Sequence, residues 1–222
     1  MRIAVLALLL PAALCGQNKT PAPAVIPMPS NRAVDSYIIY SSLIPLGETA
    51  NKDWPHDLWL VKDATITVVP PDQPCRPEPK TVNAARFDST MNPHIAVHPP
   101  DDRKPDFAEI LEDFDAHCHD SVALSPSPTL WQTGAPVHLL TPAEQQAFRD
   151  VRNTRAETSP KYKGAAALYS FSEVYFNARH TVALVYATHW CGGLCGQGMW
   201  IALALENGHW KQLHWNATFW IS

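Results

Sequence analysis

The sequence predicts an α+β fold: a C-terminal four-stranded antiparallel meander covered by two or three helices. Three observations predict it. Leu168 to Ser222 is a succession of β-branched and aromatic runs separated by turn residues. Asn207-Gly208 between two such runs signals a tight hairpin, because a type I′ turn needs positive φ at both central residues. Ala33 to Ile44 and Asp106 to His117 carry apolar residues at helical spacing.

The strands are expected at Leu168–Phe176, Thr181–Trp190, Met199–Leu205 and His209–Ile221, with a turn at Asn177 to His180. A two-residue turn at Asn207-Gly208 sets the register. Glu206 then faces His209, Leu205 faces Trp210, Leu203 faces Gln212, Ala202 faces Leu213, Ile201 faces His214 and Trp200 faces Trp215. Both faces of these strands carry apolar residues, so helices are needed to cover the sheet.

Ala33 to Ile44 is apolar nearly all round (Val34, Tyr37, Ile38, Ile39, Tyr40, Leu43), which predicts a buried helix capped by Ser30 or Asn31 and ended by Pro45. Leu58–Val61 and Ala64–Val69 read as strand. Pro70 to Pro105 is a long, proline-rich irregular passage, a length that points to a functional loop or a poorly ordered one. In Asp106–His117, Phe107, Ile110, Leu111, Phe114 and Cys118 form one stripe. Pro136–Leu140 is a short strand. Thr141-Pro142-Ala143-Glu144 is a capping box opening a helix to about Arg152.

The 222 residues divide into a signal peptide over 1–16, a Pro/Ala-rich linker over 17–32 and one domain over 33–222. Met1-Arg2 and the apolar run Ile3–Leu14 have the form of an export signal, and the run is shorter than the ~20 residues that span a bilayer. Cleavage is expected near Cys15 or Gly16. Cys15 would also be the site of a lipid anchor, but Leu14 stands where a small residue is wanted. Localisation is therefore exported, periplasmic or secreted, with a lipoprotein the less favoured form. A net charge of −4 without a basic block argues against nucleic acid as a partner.

Four cysteines remain after such a cleavage, and an even number in an exported chain favours two disulfides. Of three connectivities, Cys75–Cys118 and Cys191–Cys195 are favoured. The second would pinch the glycine-rich loop Cys191 to Gly198, which lacks the Lys-Ser/Thr ending of a phosphate loop.

Phe176-Asn177, Ala183-Leu-Val-Tyr186, Cys191-Gly-Gly-Leu-Cys-Gly-Gln-Gly198, Asn207-Gly-His-Trp210 and Trp220-Ile-Ser222 resemble a pattern in a loose group of uncharacterised exported bacterial proteins; Tyr40 to Ile44 is similar too. The resemblance implies a bacterial, exported, single-domain protein and lends no catalytic residue. The covered sheet is also analogous to the cone-like curved sheet of the ketosteroid-isomerase type, which wraps a helix.

No nucleophile elbow, zinc-protease helix, Walker motif or dinucleotide fingerprint is present. The expectation is a disulfide-stabilised, non-enzymatic domain that binds a small molecule, a glycan or a protein, without a cofactor. Its ligand surface is expected around His189, Gly192, Gly193, Gly196, Gly198, Trp200, His214 and Trp215. Five of the eight tryptophans fall after residue 189, enough to line an aromatic surface or to fill a core. The alternative is a metal- or redox-dependent enzyme using His117/His119 and Cys191/Cys195. Residues two apart on a helix point in different directions, which weighs against His117 and His119 sharing an ion. Asp113 and Asp115, four residues before them, are the expected partners.

Overall fold

The computed structural model describes residues 24–44, 57–77, 91–154 and 160–221. The expected signal peptide and Cys15 lie outside the described residues. Among the described residues the fold is mixed, with four α-helices and one large sheet. In chain order the elements are β1 (Val25–Pro27), α1 (Ser30–Leu43), β2 (Trp59–Lys62), α2 (Pro93–Ala96), β3 (Val97–His98), α3 (Lys104–His117), β4 (Ser121–Ala123), β5 (Val137–Leu140), α4 (Pro142–Thr154), β6 (Leu168–Phe171), β7 (Tyr175–Phe176), β8 (Val182–Gly192), β9 (Cys195–Glu206), β10 (His209–Leu213), β11 (Asn216–Ala217) and β12 (Phe219–Ile221).

The sheet has eight strands, in the order β10-β9-β8-β6-β2-β5, with β12 also on β9 and β7 also on β8. β6, β8, β9 and β10 pair antiparallel. β2 runs parallel to both β5 and β6, so the sheet extends beyond the C-terminal strands into the N-terminal half. Two parallel partners need long crossovers, and local periodicity cannot reveal those.

Side chains alternate across the sheet and build two main cores. On one face Ala183, Val185, Ala187, Ile201 and Leu203 meet Tyr37, Ile39, Tyr40 and Leu43 of α1. On the other, Val182, Leu184, Tyr186, Trp200 and Ala202 meet Phe107, Ile110 and Phe114 of α3. Phe148 of α4 packs with Leu60, Leu140 and Leu168.

The Asn207-Gly208 turn has φ of +52° and +78°, as a type I′ turn requires. The register follows it from His209↔Glu206 to Leu213↔Ala202 and then ends. The expected pairs Ile201–His214 and Trp200–Trp215 do not form, and the single strand His209–Ile221 is three short ones. Trp200 is buried and donates its indole N–H to the Met91 carbonyl at 2.8 Å. Trp215 instead stands edge-on to Phe107, 5.6 Å between ring centres. β11 pairs with β3, and β12 returns to the other end of β9.

Other expectations are also revised. α1 begins at Ser30 and neither Ser30 nor Asn31 caps it; the Pro29 carbonyl accepts from the Arg32 and Ala33 amides, both at 3.1 Å. Val34 is exposed. Within the stretch read as linker, β1 pairs parallel with β4 and Arg32 is buried in α1. Ala64–Val69 is not a strand beyond the Ala64–Ala123 bridge. There the Thr65 hydroxyl accepts from the Val122 amide at 2.7 Å, a side chain standing where a ladder carbonyl would. The capping box forms, with the Thr141 amide donating to Glu144 Oε2 at 2.9 Å. The disulfides are Cys75–Cys118 and Cys191–Cys195. Among the described residues no helix is long and apolar enough to cross a membrane.

Candidate ligand cleft and the Arg32–Glu173 cluster

Asp106, Glu109 and Asp113 lie at i, i+3 and i+7 along α3, beside its buried stripe, so they form one acidic edge. This edge faces the turn between β7 and β8. Phe176 donates its amide to Asp113 Oδ2 at 2.8 Å, Ala178 its amide to Glu109 Oε2 at 3.0 Å, and Asn177 its side-chain amide to Asp106 Oδ1 at 3.0 Å. Asn177 Oδ1 accepts in turn from the amides of Thr181 and Val182, at 2.8 and 3.0 Å. Carboxylates that accept backbone N–H groups fix the turn against the helix.

The strand between β6 and β7 is interrupted at Ser172-Glu173. Ser172 holds the break: its amide donates to the Tyr186 carbonyl at 2.8 Å, its hydroxyl accepts from the Tyr186 amide at 2.9 Å, and its carbonyl accepts from the Tyr40 hydroxyl at 3.0 Å. The break turns Glu173 inward, where it is 2% exposed. The Arg32 guanidinium bridges Glu173 Oε1 and Asp113 Oδ2. Glu173 Oε2 is buried with no hydrogen-bond partner among the described residues. Burial pushes the Glu173 carboxyl above its ordinary pKa, while the Arg32 and His117 charges pull it back. Burial, then the Glu173 charge, raises the hydroxyls of Tyr40 and Tyr175.

Beside this cluster opens a cleft of about 370 Å³. Arg32, Asp113, Glu109 and Glu112 form one wall, and Phe176 to Ala178 with His180 the other. The His180 ring stacks on Phe176 with centroids 4.6 Å apart and planes 1° from parallel, and His180 takes φ +52°. The Arg32 guanidinium carbon lies 5.6 Å from the same ring. Three carboxylates therefore meet one arginine whose charge is already shared. Glu112 makes no ion pair among the described residues.

His117 lies at the C-terminal end of α3 with its side chain 40% exposed. Its Nδ1 is 2.9 Å from Asp120 Oδ2, and its Nε2 is 3.8 Å from Asp113 Oδ1. His119 points elsewhere, its Nε2 3.0 Å from the Gln73 carbonyl. Asp115 is not its partner; that carboxylate takes His94 at 2.7 Å and Arg76 at 3.1 Å. His117 and His119 are therefore not brought together. Cys118 lies between them, buried and bonded to Cys75, while the thiols of Cys191 and Cys195 are bonded to each other.

The residues expected around the glycine loop do not share one surface. His189 pairs with Gln197 on β9, three positions from Trp200, so the two face opposite sides of the sheet. His189 is buried, its Nδ1 has no hydrogen-bond partner among the described residues, and burial lowers its pKa. Gly192 closes the β8–β9 hairpin opposite Cys195, and Gly193 and Leu194 form its tip, where Leu194 is 92% exposed. Gly196 and Gly198 are buried, Trp200 is in the core, Trp215 is half-buried and His214 is exposed.

Sequence reasoning named Asp113 only as a partner of His117 and missed Arg32, Glu109, Glu112, Asp120, Glu173, Phe176 and His180 as site residues. One signal was available: Glu173 is the only charge in the otherwise uncharged, aromatic-rich run Leu168–Phe176, and a buried charge requires a partner. Comparison with protein-family models, with curated proteins and with solved structures finds no match for this chain.

Proposed function

We propose that this chain is an exported, disulfide-stabilised, non-enzymatic binding domain whose ligand is a small organic cation with an apolar part. Membership in the loose group of exported bacterial proteins belongs to the same reading. So does the treatment of the C-terminal strands as a meander that gives the site a rigid back.

The observation that carries the ligand class is the charge balance of the cleft. Glu109, Glu112 and Asp113 line it against one arginine already engaged by two buried-side carboxylates, and the Phe176–His180 stack supplies an apolar surface. An ammonium would sit against Glu112 while its hydrocarbon part lies against the half-buried His180 ring, which is stacked on the buried Phe176.

Phenethylamine is the probe, with phenylacetate as its anionic counterpart, titrated calorimetrically into the disulfide-intact protein. Phenethylamine is expected to bind and phenylacetate not. Because exposed charge pairs contribute about 0.2–1 kcal/mol, Glu112→Gln should weaken binding by up to roughly fivefold. Equal binding of both probes, or an affinity indifferent to Glu112→Gln, would refute the assignment. Export is tested separately by the mature N-terminus: a free amine on Gly16 or Gln17 supports it, and an intact Met1 removes it.

A further inference from the structure

The Arg32–Glu173 cluster carries more negative charge than it neutralises. Asp113, Asp120 and Glu173 surround one guanidinium and one imidazole. Among the described residues no lysine or second arginine pairs with any of the three. One potential ligand atom each from His117, Asp120 and Glu173 lies within 4.8 Å of the others. Acidic groups often gather at a surface without consequence. Here one of them is different, because Glu173 is buried and its Oε2 has no hydrogen-bond partner among the described residues. A buried carboxylate oxygen without a donor is a cost that a protein rarely carries without a use.

We propose that His117, Asp120 and Glu173 form a binding site for a divalent cation of the zinc type. The proposal concerns a site next to the amine cleft and does not rest on that reading. One imidazole and two carboxylates suit zinc or a similar first-row cation better than magnesium or calcium, which prefer oxygen alone. Ligand atoms about 2.0–2.2 Å from a tetrahedral ion stand roughly 3.3 Å apart. His117 Nδ1 and Asp120 Oδ2 are already 2.9 Å apart, so a small shift of the exposed side chains closes the site on Glu173.

The surrounding groups are those a metal site needs. Arg32 holds Glu173 through Oε1 and leaves Oε2 available. Asp113 Oδ1 stands 3.8 Å from His117 Nε2, beyond hydrogen-bond length, and a small shift of the partly exposed imidazole would bring its remote N–H onto that carboxylate. His117 and Asp120 are partly exposed, which gives an ion and its water a route in. An ion between His117 Nδ1 and Asp120 Oδ2 takes the place of the Nδ1 proton: from a neutral ring that proton moves to Nε2, on the side of Asp113, and from an imidazolium it leaves to solvent.

The test titrates ZnCl2, and separately MgCl2, into chelator-stripped, disulfide-intact protein by calorimetry. The expected result is one zinc per chain, no saturable magnesium binding, and at least a tenfold loss of zinc affinity in both His117→Ala and Asp120→Asn. Both of these residues are at the surface, so the variants should fold even if Glu173→Gln does not. His119→Ala, two residues away and turned toward Gln73, should keep the parent affinity. Absence of saturable zinc binding, retention of it in His117→Ala and Asp120→Asn, or an equal loss in His119→Ala would each overturn the assignment.

Discussion

The indole N–H of Trp220 donates to the hydroxyl of Tyr186 at 2.6 Å, directly over Gly198. A Cβ on Gly198 would lie 2.5 Å from the Tyr186 hydroxyl oxygen and closer still to the Trp220 indole nitrogen. The glycine is thus explained by packing: it lets β12 lie down on β9. Gly198→Ala should destabilise by about 1–3 kcal/mol, the usual cost of overpacking. Trp220→Leu in the same background should recover part of that loss. Urea unfolding of the three proteins decides it, and an unchanged midpoint for Gly198→Ala would contradict the packing account.

Among the described residues Arg32 is the only guanidinium paired with Glu173 and Asp113. Arg32→Met leaves both carboxylates without it, one of them fully buried. A loss of about 3–5 kcal/mol is expected, the range for breaking a buried ion pair from one side. Arg32→Met/Glu173→Gln should be more stable than Arg32→Met alone, because the stranded charge is gone. Denaturant midpoints of single and double variants measure the coupling; simple additivity would show that the contact is not energetically real.

The two disulfides close loops of very different length, with sequence separations of 43 and 4. In the chain-entropy treatment their removal costs about 4 and about 2 kcal/mol respectively. Paired Cys→Ser variants should follow that order in urea unfolding. The reverse order would mean that the hairpin tip matters more than the tether from residue 75 to α3.

Burial lowers the pKa of His189 below its ordinary value of 6.5. The unfolded chain therefore takes up a proton at higher pH than the folded one. Between the two pKa values stability falls as pH falls, and below the folded value no more is lost. His189→Phe removes this contribution. The drop in unfolding free energy from pH 7.5 to pH 5 should be smaller in the variant than in the parent; equal drops would show that His189 does not titrate differently on folding.

Features fixed by neighbours in the chain were legible in the sequence. Asn207-Gly208 dictated its turn, Thr141 and Glu144 their capping box, and the Phe107–Ile110–Phe114 stripe the face that α3 buries. The cysteine pairing was legible because Cys118 lies on that stripe and Cys191–Cys195 spans one tip. Features fixed by distant partners were not. Trp59–Lys62 gives no sign that it will pair parallel with both Val137–Leu140 and Leu168–Phe171. Arg32 follows a proline-rich stretch and reads as solvated until α1 docks it on Glu173. The tryptophans left two readings open, because a ring can line a surface or fill a core; Trp200 does the latter, with the Met91 carbonyl accepting its N–H.

Arg32 and Glu173 are 141 residues apart along the chain. A polypeptide emerging from its N-terminus presents the first helix long before the acid that completes it has been made. The docked form of that helix is therefore a late event in biogenesis, reached only once β6 to β9 exist to receive it. Slow closure of so long a span is the kinetic signature to expect, and any product halted before residue 173 would leave Arg32 with only one of its two carboxylates, Asp113.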